Sequence, residues 1–449
     1  MSSKWQTVTV EQIAASVPAA LATGPFGSSI SAKYFETAGV PVIRGSNLSS
    51  DTSARLIEDG LVFVSKTKAV EFQRSTARRG DLVFTCWGTI NQVGLIDARA
   101  KYDCYIVSNK QMKLTVDSSK VDARYIYYVF SGPEKQAEIL DNGIGSSVPG
   151  FNLGQLKKHE ILLPSLAEQK QIASFLESID DRINLLRETN VTLEAIAQAL
   201  FKSWFVDFDP VRAKRDGRAP EGMDEATAAL FPDSFEDSEL GEVPRGWKVG
   251  VVLDVANLLS GGTPKTDRVD FWGGEILWAS AKDVSQSSEP VLLNTERTIT
   301  QAGVNGSATR LIPAMATVVV ARGATTGRSV MFGTSMAMNQ TCYALTSKLD
   351  APVALNCLFR RQVAALLNAA HGSVFDTITT ATFARARCVH PPVHLVQRFE
   401  SVARPLFDRI ITGVQAIQAL STLRDTLLPR LISGQLRMFE AQARVSEAP

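Results

Sequence analysis

The sequence predicts an α+β protein in which one plan is used twice: two pseudo-repeated domains separated by a pair of long helices that form an antiparallel coiled coil. Three observations carry this. The chain repeats itself with a period near 230, each repeat opens with short strand-like runs, and each closes on a long heptad-patterned segment.

The repeat is read from ordered strings of low identity. SNKQMKLTV around Asn109 returns as MNQTCYALT around Asn339, an offset of 230. DLVFTCWGT from Asp81 returns as ATVVVARGA from Ala316, and residues 142–165 return as residues 369–392, each ending in Pro before a helix. In the first half PVIRGSNLS, LVFVSKTKA, DLVFTCWGT and QVGLIDA cluster apolar residues between Gly, Ser and Asn, as strands do. VDARYIYYVF and EKQAEIL read as short helices, the latter stopped by Gly143. EILWASAKDV, ATVVVAR and QTCYALT are the strand candidates of the second half.

The closing helices show steps of 4 and 3 without a break. The first seam runs Ile172, Leu176, Ile179, Ile183, Leu186, Asn190, Leu193, Ala197, Leu200, Trp204. Adding 227 gives Phe399, Ala403, Leu406, Ile410, Gly413, Ile417, Leu420, Arg424, Leu427, Leu431. A helix of about 33 residues is about 50 Å long, and Asn190 at a core position fixes register at some cost in stability. Two ordinary amphipathic helices packed on their own domains would give the same pattern. Pro405 lies inside the second segment, and since proline suits only a first turn, that helix is expected to start or kink near Arg404. Phe201, Trp204, Phe205 and Phe208 exceed what a two-helix seam needs, so Trp204 and Phe205 are expected to contact a partner subunit.

The expected boundaries are 1–164 for the first domain, 165–206 for the first long helix, 207–243 for an acidic linker, 244–393 for the second domain, 394–437 for the second long helix and 438–449 for a tail. Net charge is only +1, but it is unevenly spread. Residues 1–164 carry 18 basic and 15 acidic side chains, residues 244–393 carry 14 and 9, and residues 205–243 carry 4 and 11. Two mildly basic domains are compatible with phosphate contact without requiring it.

Catalytic patterns are missing. No Asn/Asp-Pro-Pro-aromatic motif is present to hold a flipped base; the double proline in His390-Pro391-Pro392-Val393 has neither the acid or amide before it nor the aromatic after it. Gly323 to Ser329 is one residue short of a phosphate-cradling loop and has Arg328 in place of Lys. His390 and His394 have the spacing of a helical zinc pair, but the prolines between them forbid a helix there. Five scattered cysteines without a C-x-x-C and a start lacking an apolar signal core point to a reducing cytoplasm, and no apolar run of about 18 residues exists to span a membrane.

Several strings together resemble the specificity (S) subunit of type I restriction–modification systems. They are GPFGSSI (24–30), GVPVIRGSNLS (39–49), GDLVFTCWG, the Asn109 segment and LPSLAEQKQIASFLESIDDRI (163–183) in the first half. GEVPRGWKVGVV (241–252), SGGTPKT (260–266), GGEILWASAKDVS (273–285) and the ending LLPRLISGQLR (427–437) continue it. The second helix departs by lacking the Glu-Gln pair. The resemblance implies a non-catalytic subunit whose two α+β units are target-recognition domains reading a bipartite site in double-stranded DNA. It implies two methyltransferase (M) subunits and motor–nuclease (R) subunits as partners, no cofactor or metal in this chain, and S-adenosylmethionine, ATP and Mg in those partners. A coiled-coil scaffold without DNA specificity is the alternative.

Arg, Lys, Asn and Ser on loops at strand ends are the residues expected to touch DNA. In the first domain these are Arg44, Ser46, Asn47, Lys66, Lys68, Arg74, Arg78 and Arg79; in the second, Lys265, Arg268, Lys282, Arg310, Arg322 and Arg328. Each taken alone also reads as a solvated surface charge.

Overall fold

The computed structural model describes residues 5–143, 149–369 and 377–438. Parts of the repeat strings, 144–148 and 370–376, and most of the expected tail, 439–449, lie outside the described residues. The chain divides into two compact units: residues 1–184 with 419–449, and residues 185–418.

In the first unit, residues 21–114 form two four-stranded sheets. One has the order Leu21–Thr23, Gln111–Leu114, Leu82–Thr85, Val93–Leu95, all antiparallel. The other has the order Val62–Val64, Val40–Ile43, Cys104–Val107, Thr76–Arg78, and its two central strands are parallel. Leu82–Thr85 is buried along its whole length, which explains a continuous apolar run rather than an alternating one. Gln6–Thr9 pairs separately with Glu160–Leu163. The helix Ala123–Ser131 is capped by the Asp122 carboxylate accepting from Arg124 N, and it buries Tyr125 through Phe130 against the sheet, with Phe84 and Phe130 edge to face at 4.9 Å.

The second unit repeats this plan. Its five-stranded sheet has the order Ala256–Ser260, Cys342–Ser347, Thr317–Val320, Ser329–Phe332, Val291–Leu292. Its four-stranded sheet has the order Arg297–Ile299, Trp272–Ala279, Met336–Met338, Leu311–Ile312. Lys248–Val251 pairs with Arg387–His390, as Gln6–Thr9 does with Glu160–Leu163.

Backbone pairing fixes the register of the repeat. The central parallel pairs are Val42 with Ile106 and Ile43 with Val107 in one unit, Trp278 with Ala337 and Ala279 with Met338 in the other. Ser108 N donates to Ile43 O and Asn339 N to Ala279 O, both at 2.9 Å. Ser108 therefore corresponds to Asn339, and Asn109 to Gln340. The offset here is one residue more than the 230 obtained by matching the two asparagines, because the chain aligns on hydrogen bonds rather than on letters. The pairing of residues 81–86 with 316–321 agrees with the backbone: Cys86 N donates to Lys110 O at 2.7 Å, and Ala321 N to Thr341 O at 2.8 Å.

Each repeat closes on a 40-residue helix, Leu166–Phe205 and Val393–Ile432, about 60 Å long at about 1.5 Å per residue. Within each unit the two helices run antiparallel. In the first, Asp180 meets Arg424 at 2.9 Å and Glu168 meets Arg437 at 3.2 Å; in the second, Phe201 packs on Phe399 and Asn190 on Gly413. Ile172, Leu176, Ile179, Ile183, Leu186, Ile410, Ile417, Leu427 and Leu431 are buried along the seam. Leu193, Leu200, Leu406 and Leu420 are half-buried, and Phe407 rather than Leu406 fills the core at that level.

Two expectations are corrected, the start of the second helix and the exposure of Trp204 and Phe205, and the acidic segment gains detail. The second helix does not start near Arg404: it is continuous from Val393 to Ile432, and Pro405 sits exposed on its outer side. Proline there costs about 3 kcal/mol, but Phe399 and Ala403 before it and Phe407 and Ile410 after it are buried and hold both sides in place. The acidic segment is folded, with helices Asp209–Arg215 and Glu225–Ala229 and a hairpin of Phe235–Ser238 with Gly241–Pro244. Trp204 and Phe205 are both buried inside the chain, against Phe231, Trp247 and Phe399. That aromatic surface packs into the second unit's own core.

Candidate nucleic-acid interface

In both units the turn that joins the two sheets is the point where loops converge. In the first it is Ser108–Lys110, between Cys104–Val107 and Gln111–Leu114. Gly24 N donates to Gln111 O at 2.9 Å, Ser75 Oγ to Thr23 O at 2.9 Å, and Cys86 N to Lys110 O at 2.7 Å. Segments 23–26, 43–46, 74–76 and 86–88 thus surround the turn. In the second unit the turn is Asn339–Thr341, and Gly262 N donates to Met338 O, Ala321 N to Thr341 O and Thr309 Oγ1 to Met338 O. Segments 261–263, 279–280, 308–310 and 321–322 surround it.

Close backbone approach requires glycine at Gly24 in the first set and at both Gly261 and Gly262 in the second. A Cβ on Gly24 would lie 1.8 Å from Ser108 O, and one on Gly261 would lie 2.0 Å from Asn339 O. No side chain fits there, so Gly24 of GPFG and the glycines of SGGTP answer to close backbone approach, whereas Gly27 has nothing near it and takes a left-handed φ of 62°. Trp278 Nε1 donates to Gly262 O at 3.0 Å and Trp272 Nε1 to Lys265 O at 3.1 Å, which pins the rest of the second loop.

The expected DNA contacts divide into groups. Arg44, Ser46 and Arg74 lie at the convergent end of the first unit, Arg44 donating to Gly60 O at 2.9 Å and resting over Phe35. Lys66 and Lys68 follow the strand Val62–Val64, and Arg78 pairs with Cys104, so these three and Arg79 lie at the opposite end of that sheet. Lys68 is tied to Glu71 and Arg79 to Asp103. Asn47 is corrected: it is fully buried, its Oδ1 accepts from Arg44 N at 3.0 Å, and its Nδ2 donates to Ile57 O at 2.9 Å. Asp283 does the same for Ser280 N at 2.8 Å in the second unit. Both are loop caps with no group left for a base.

In the second unit Lys265, Arg310, Arg322 and Arg328 are exposed and have no ion-pair partner among the described residues. Arg310 and Arg322 flank the turn, Lys265 extends the 261–263 loop, and Arg328 closes the hairpin loop that Arg322 opens. Arg268 is held by Asp270 and Lys282 by Glu296, both at 2.7 Å, which lowers their availability to phosphate.

Four residues at the same ends were missed in the sequence: Phe26, which is 84% exposed, Trp87, which is 50% exposed, and the turn-tip amides Asn109 and Gln340. Trp87 and Arg322 occupy one backbone position, each forming an isolated bridge, to Gly150 and Thr377 respectively. The signal for the amides was present in the repeat, but matching Asn109 to Asn339 put Gln340 one place out of line.

The sequence model described as "Type I restriction modification DNA specificity domain" matches residues 3–195 and 244–393. The chain belongs to this family. It carries the specificity domain twice, once in each repeat. A relative described as the type I restriction enzyme HindI specificity subunit of Haemophilus influenzae is 24% identical over 381 residues, covering 74% of this chain and 82% of that one. The MjaIX specificity subunit of Methanocaldococcus jannaschii is also 24% identical, over 339 residues, covering 75% of this chain and 74% of the relative. A solved type I restriction–modification S subunit from M. genitalium shares the fold, with a TM-score of 0.53 at 13% identity over 96% of both chains. Specificity domains recognise DNA sequence within a restriction–modification complex, so the coiled-coil scaffold without DNA specificity is not favoured.

Of the features set aside as chemistry, the Gly323–Ser329 loop lies at the convergent end of the second unit, between Thr317–Val320 and Ser329–Phe332. His390 lies in the strand Arg387–His390 and His394 in the long helix, and no group of three potential metal ligands occurs among the described residues. Burial pushes the Cys86 and Cys342 thiols up to about 12, so neither is a ready nucleophile. Among the described residues no helix is long and apolar enough to cross a membrane.

Proposed function

We propose that this chain reads a two-part DNA target, one part with each specificity domain, and directs adenine methylation or cleavage by other subunits of its complex. The observation that carries this is the repeat of one loop architecture with different side chains at equivalent positions. Two copies of a reader with one face would recognise two copies of one sequence. Here Phe26, Trp87 and Asn109 in one unit stand where Thr263, Arg322 and Gln340 stand in the other, so two different half-sites follow.

The partners in this reading are two methyltransferase subunits docked along the long helices and motor–nuclease subunits that join for cleavage, all in the cytoplasm. S-adenosylmethionine, ATP and Mg belong to those partners, while this chain contributes binding and no chemistry. The test is to incubate the chain, co-purified with a type I methyltransferase subunit, with a pool of random duplexes and sequence the bound fraction. Two short motifs at a fixed spacing support the reading. Bound duplexes with no enriched motif, or with one contiguous motif, overturn it.

A further inference from the structure

The two turns that join the sheets end in an amide in both units, and the backbone register makes them the same position: Asn109 in one, Gln340 in the other. Both side chains are exposed. Turn geometry accounts for an asparagine, which tolerates left-handed backbone and bonds its own main chain, but it does not account for a glutamine. What the two residues share is the carboxamide, whose donor and acceptor together match the N6 and N7 edge of adenine.

The surroundings of Gln340 support a reading role. The Thr263 hydroxyl donates to Gln340 Oε1, which fixes the amide plane and leaves its NH2 group directed elsewhere. Thr263 belongs to the glycine loop pressed onto this turn, so the group that orients the amide is itself anchored: Gly262 N donates to Met338 O at 2.9 Å. Arg322 stands on the neighbouring segment, whose Ala321 N donates to Thr341 O at 2.8 Å. It is exposed and has no ion-pair partner among the described residues, in contrast to Arg268 and Lys282.

We propose that Asn109 and Gln340 each read an adenine in their own half-site, and that the position shared by Trp87 and Arg322 makes the two half-sites differ. Arg322 beside Gln340 selects a guanine, through the paired acceptors O6 and N7. Trp87 beside Asn109 carries a large apolar face and a single donor, so it favours contact with a thymine methyl over a guanine edge. Thr263 is a positioning residue for Gln340. This assignment rests on the two-domain reading above and goes further by naming the residues and the bases.

The experiment repeats the random-duplex enrichment with the full chain and its methyltransferase subunit, for the wild type and for Asn109→Ala, Gln340→Ala, Arg322→Ala and Arg322→Lys. Gln340→Ala is expected to lose its preference for adenine at one position of one half-motif, by between about 5-fold and about 150-fold. Asn109→Ala is expected to do the same in the other half-motif only. Arg322→Ala, and Arg322→Lys with its charge kept but its fork lost, are expected to relax a guanine beside the Gln340 adenine. The untouched half-motif reports that each variant is folded and bound. The assignment is overturned if base preferences stay unchanged in Gln340→Ala and Asn109→Ala, even where total affinity falls, since that behaviour belongs to phosphate contacts. A wild type that enriches no two-part motif overturns the two-domain reading itself, and the assignment with it.

Discussion

Replacing Arg424 with methionine removes one charge from a buried network that joins the recognition part of the first unit to both long helices. Arg424 Nη1 donates to Asp180 Oδ1 at 2.9 Å and reaches Asp51 at 3.4 Å. Asp180 is fully buried, and its other oxygen accepts from the Tyr128 hydroxyl at 2.6 Å. Tyr128 in turn accepts from Arg55 at 3.1 Å, and Arg55 pairs with Asp97 at 3.0 Å and Glu177 at 2.7 Å. Burial pushes the Asp180 carboxyl above its ordinary range, which Arg424 and Tyr128 oppose. Without Arg424 the carboxylate keeps a single donor, and breaking such a pair costs about 3–5 kcal/mol. The double variant Arg424→Met with Asp180→Leu removes both charges. It should lie within about 1–2 kcal/mol of the wild type, the residue being mainly the lost hydrogen bond from Tyr128. Because two units unfold in one chain, the assay is hydrogen exchange in urea, read at Ala123–Ser131 for the first unit and at Pro352–Ala369 for the second. A single variant costing less than about 1 kcal/mol in the first unit, or a double variant as costly as the single, refutes the argument from an uncompensated buried charge.

The same network makes the first unit acid-sensitive. Burial pushes Asp97, Asp122 and Glu177 up, but Arg99 and Arg55, Arg124, and Arg55 with Arg124 respectively outweigh it, so all three sit below their ordinary values. Carboxyls with lowered folded values stabilise above the unfolded range of about 4 and lose that contribution as pH falls through the lower values. Hydrogen exchange at Ala123–Ser131 over a pH series should show the first unit weakening below about pH 4, and Glu177→Gln should flatten that slope. In the second unit, a Cβ at Gly413 would lie 2.3 Å from Asn190 Oδ1, and the Asn190 amide donates to Glu289 at 3.3 Å. Gly413→Leu is therefore expected to cost about 1–3 kcal/mol by overpacking, with protection lost in the second unit first. Trp204→Ala should destabilise the second unit by about 3–5 kcal/mol, measured by hydrogen exchange in urea at Pro352–Ala369. A stable variant that fails only in complex assembly would restore the discarded partner-contact role.

How much of this was legible in the sequence depended on whether the signal was local. The 4-3 spacing from Ile172 to Leu186 is a property of one helix, and it reads correctly without a partner in view. The doubled plan was legible because strings recur in order, even at low identity. The Glu-Gln pair at the start of the first long helix had no readable purpose. In the structure Gln169 is buried, accepting from Asp122 N at 3.0 Å and donating to Pro164 O at 2.9 Å, so it ties that helix to the start of Ala123–Ser131. In the second repeat Glu400 does this work by accepting from Val353 N and Ala354 N, at 3.0 and 2.9 Å. One function held by two residues at different positions is invisible to string matching. Pro405 misled because its cost was weighed against its own helix, when the compensation comes from Phe399 packing on Phe201 and Trp204. The interface was half legible: exposed arginines stand out by type, but strand direction decides which end of a sheet each one reaches. Lys66 and Arg78 lie opposite Arg44 for that reason alone.

The central claim is that this chain gives its complex a two-part DNA specificity. Co-expressing it with a type I methyltransferase subunit and mapping adenine methylation across the host genome tests that claim most directly. The account predicts methylation at two different short motifs joined by a fixed spacer, present only when this chain is present. Methylation at a single contiguous motif, or none at all while the methyltransferase subunit is soluble and bound to the chain, would contradict it.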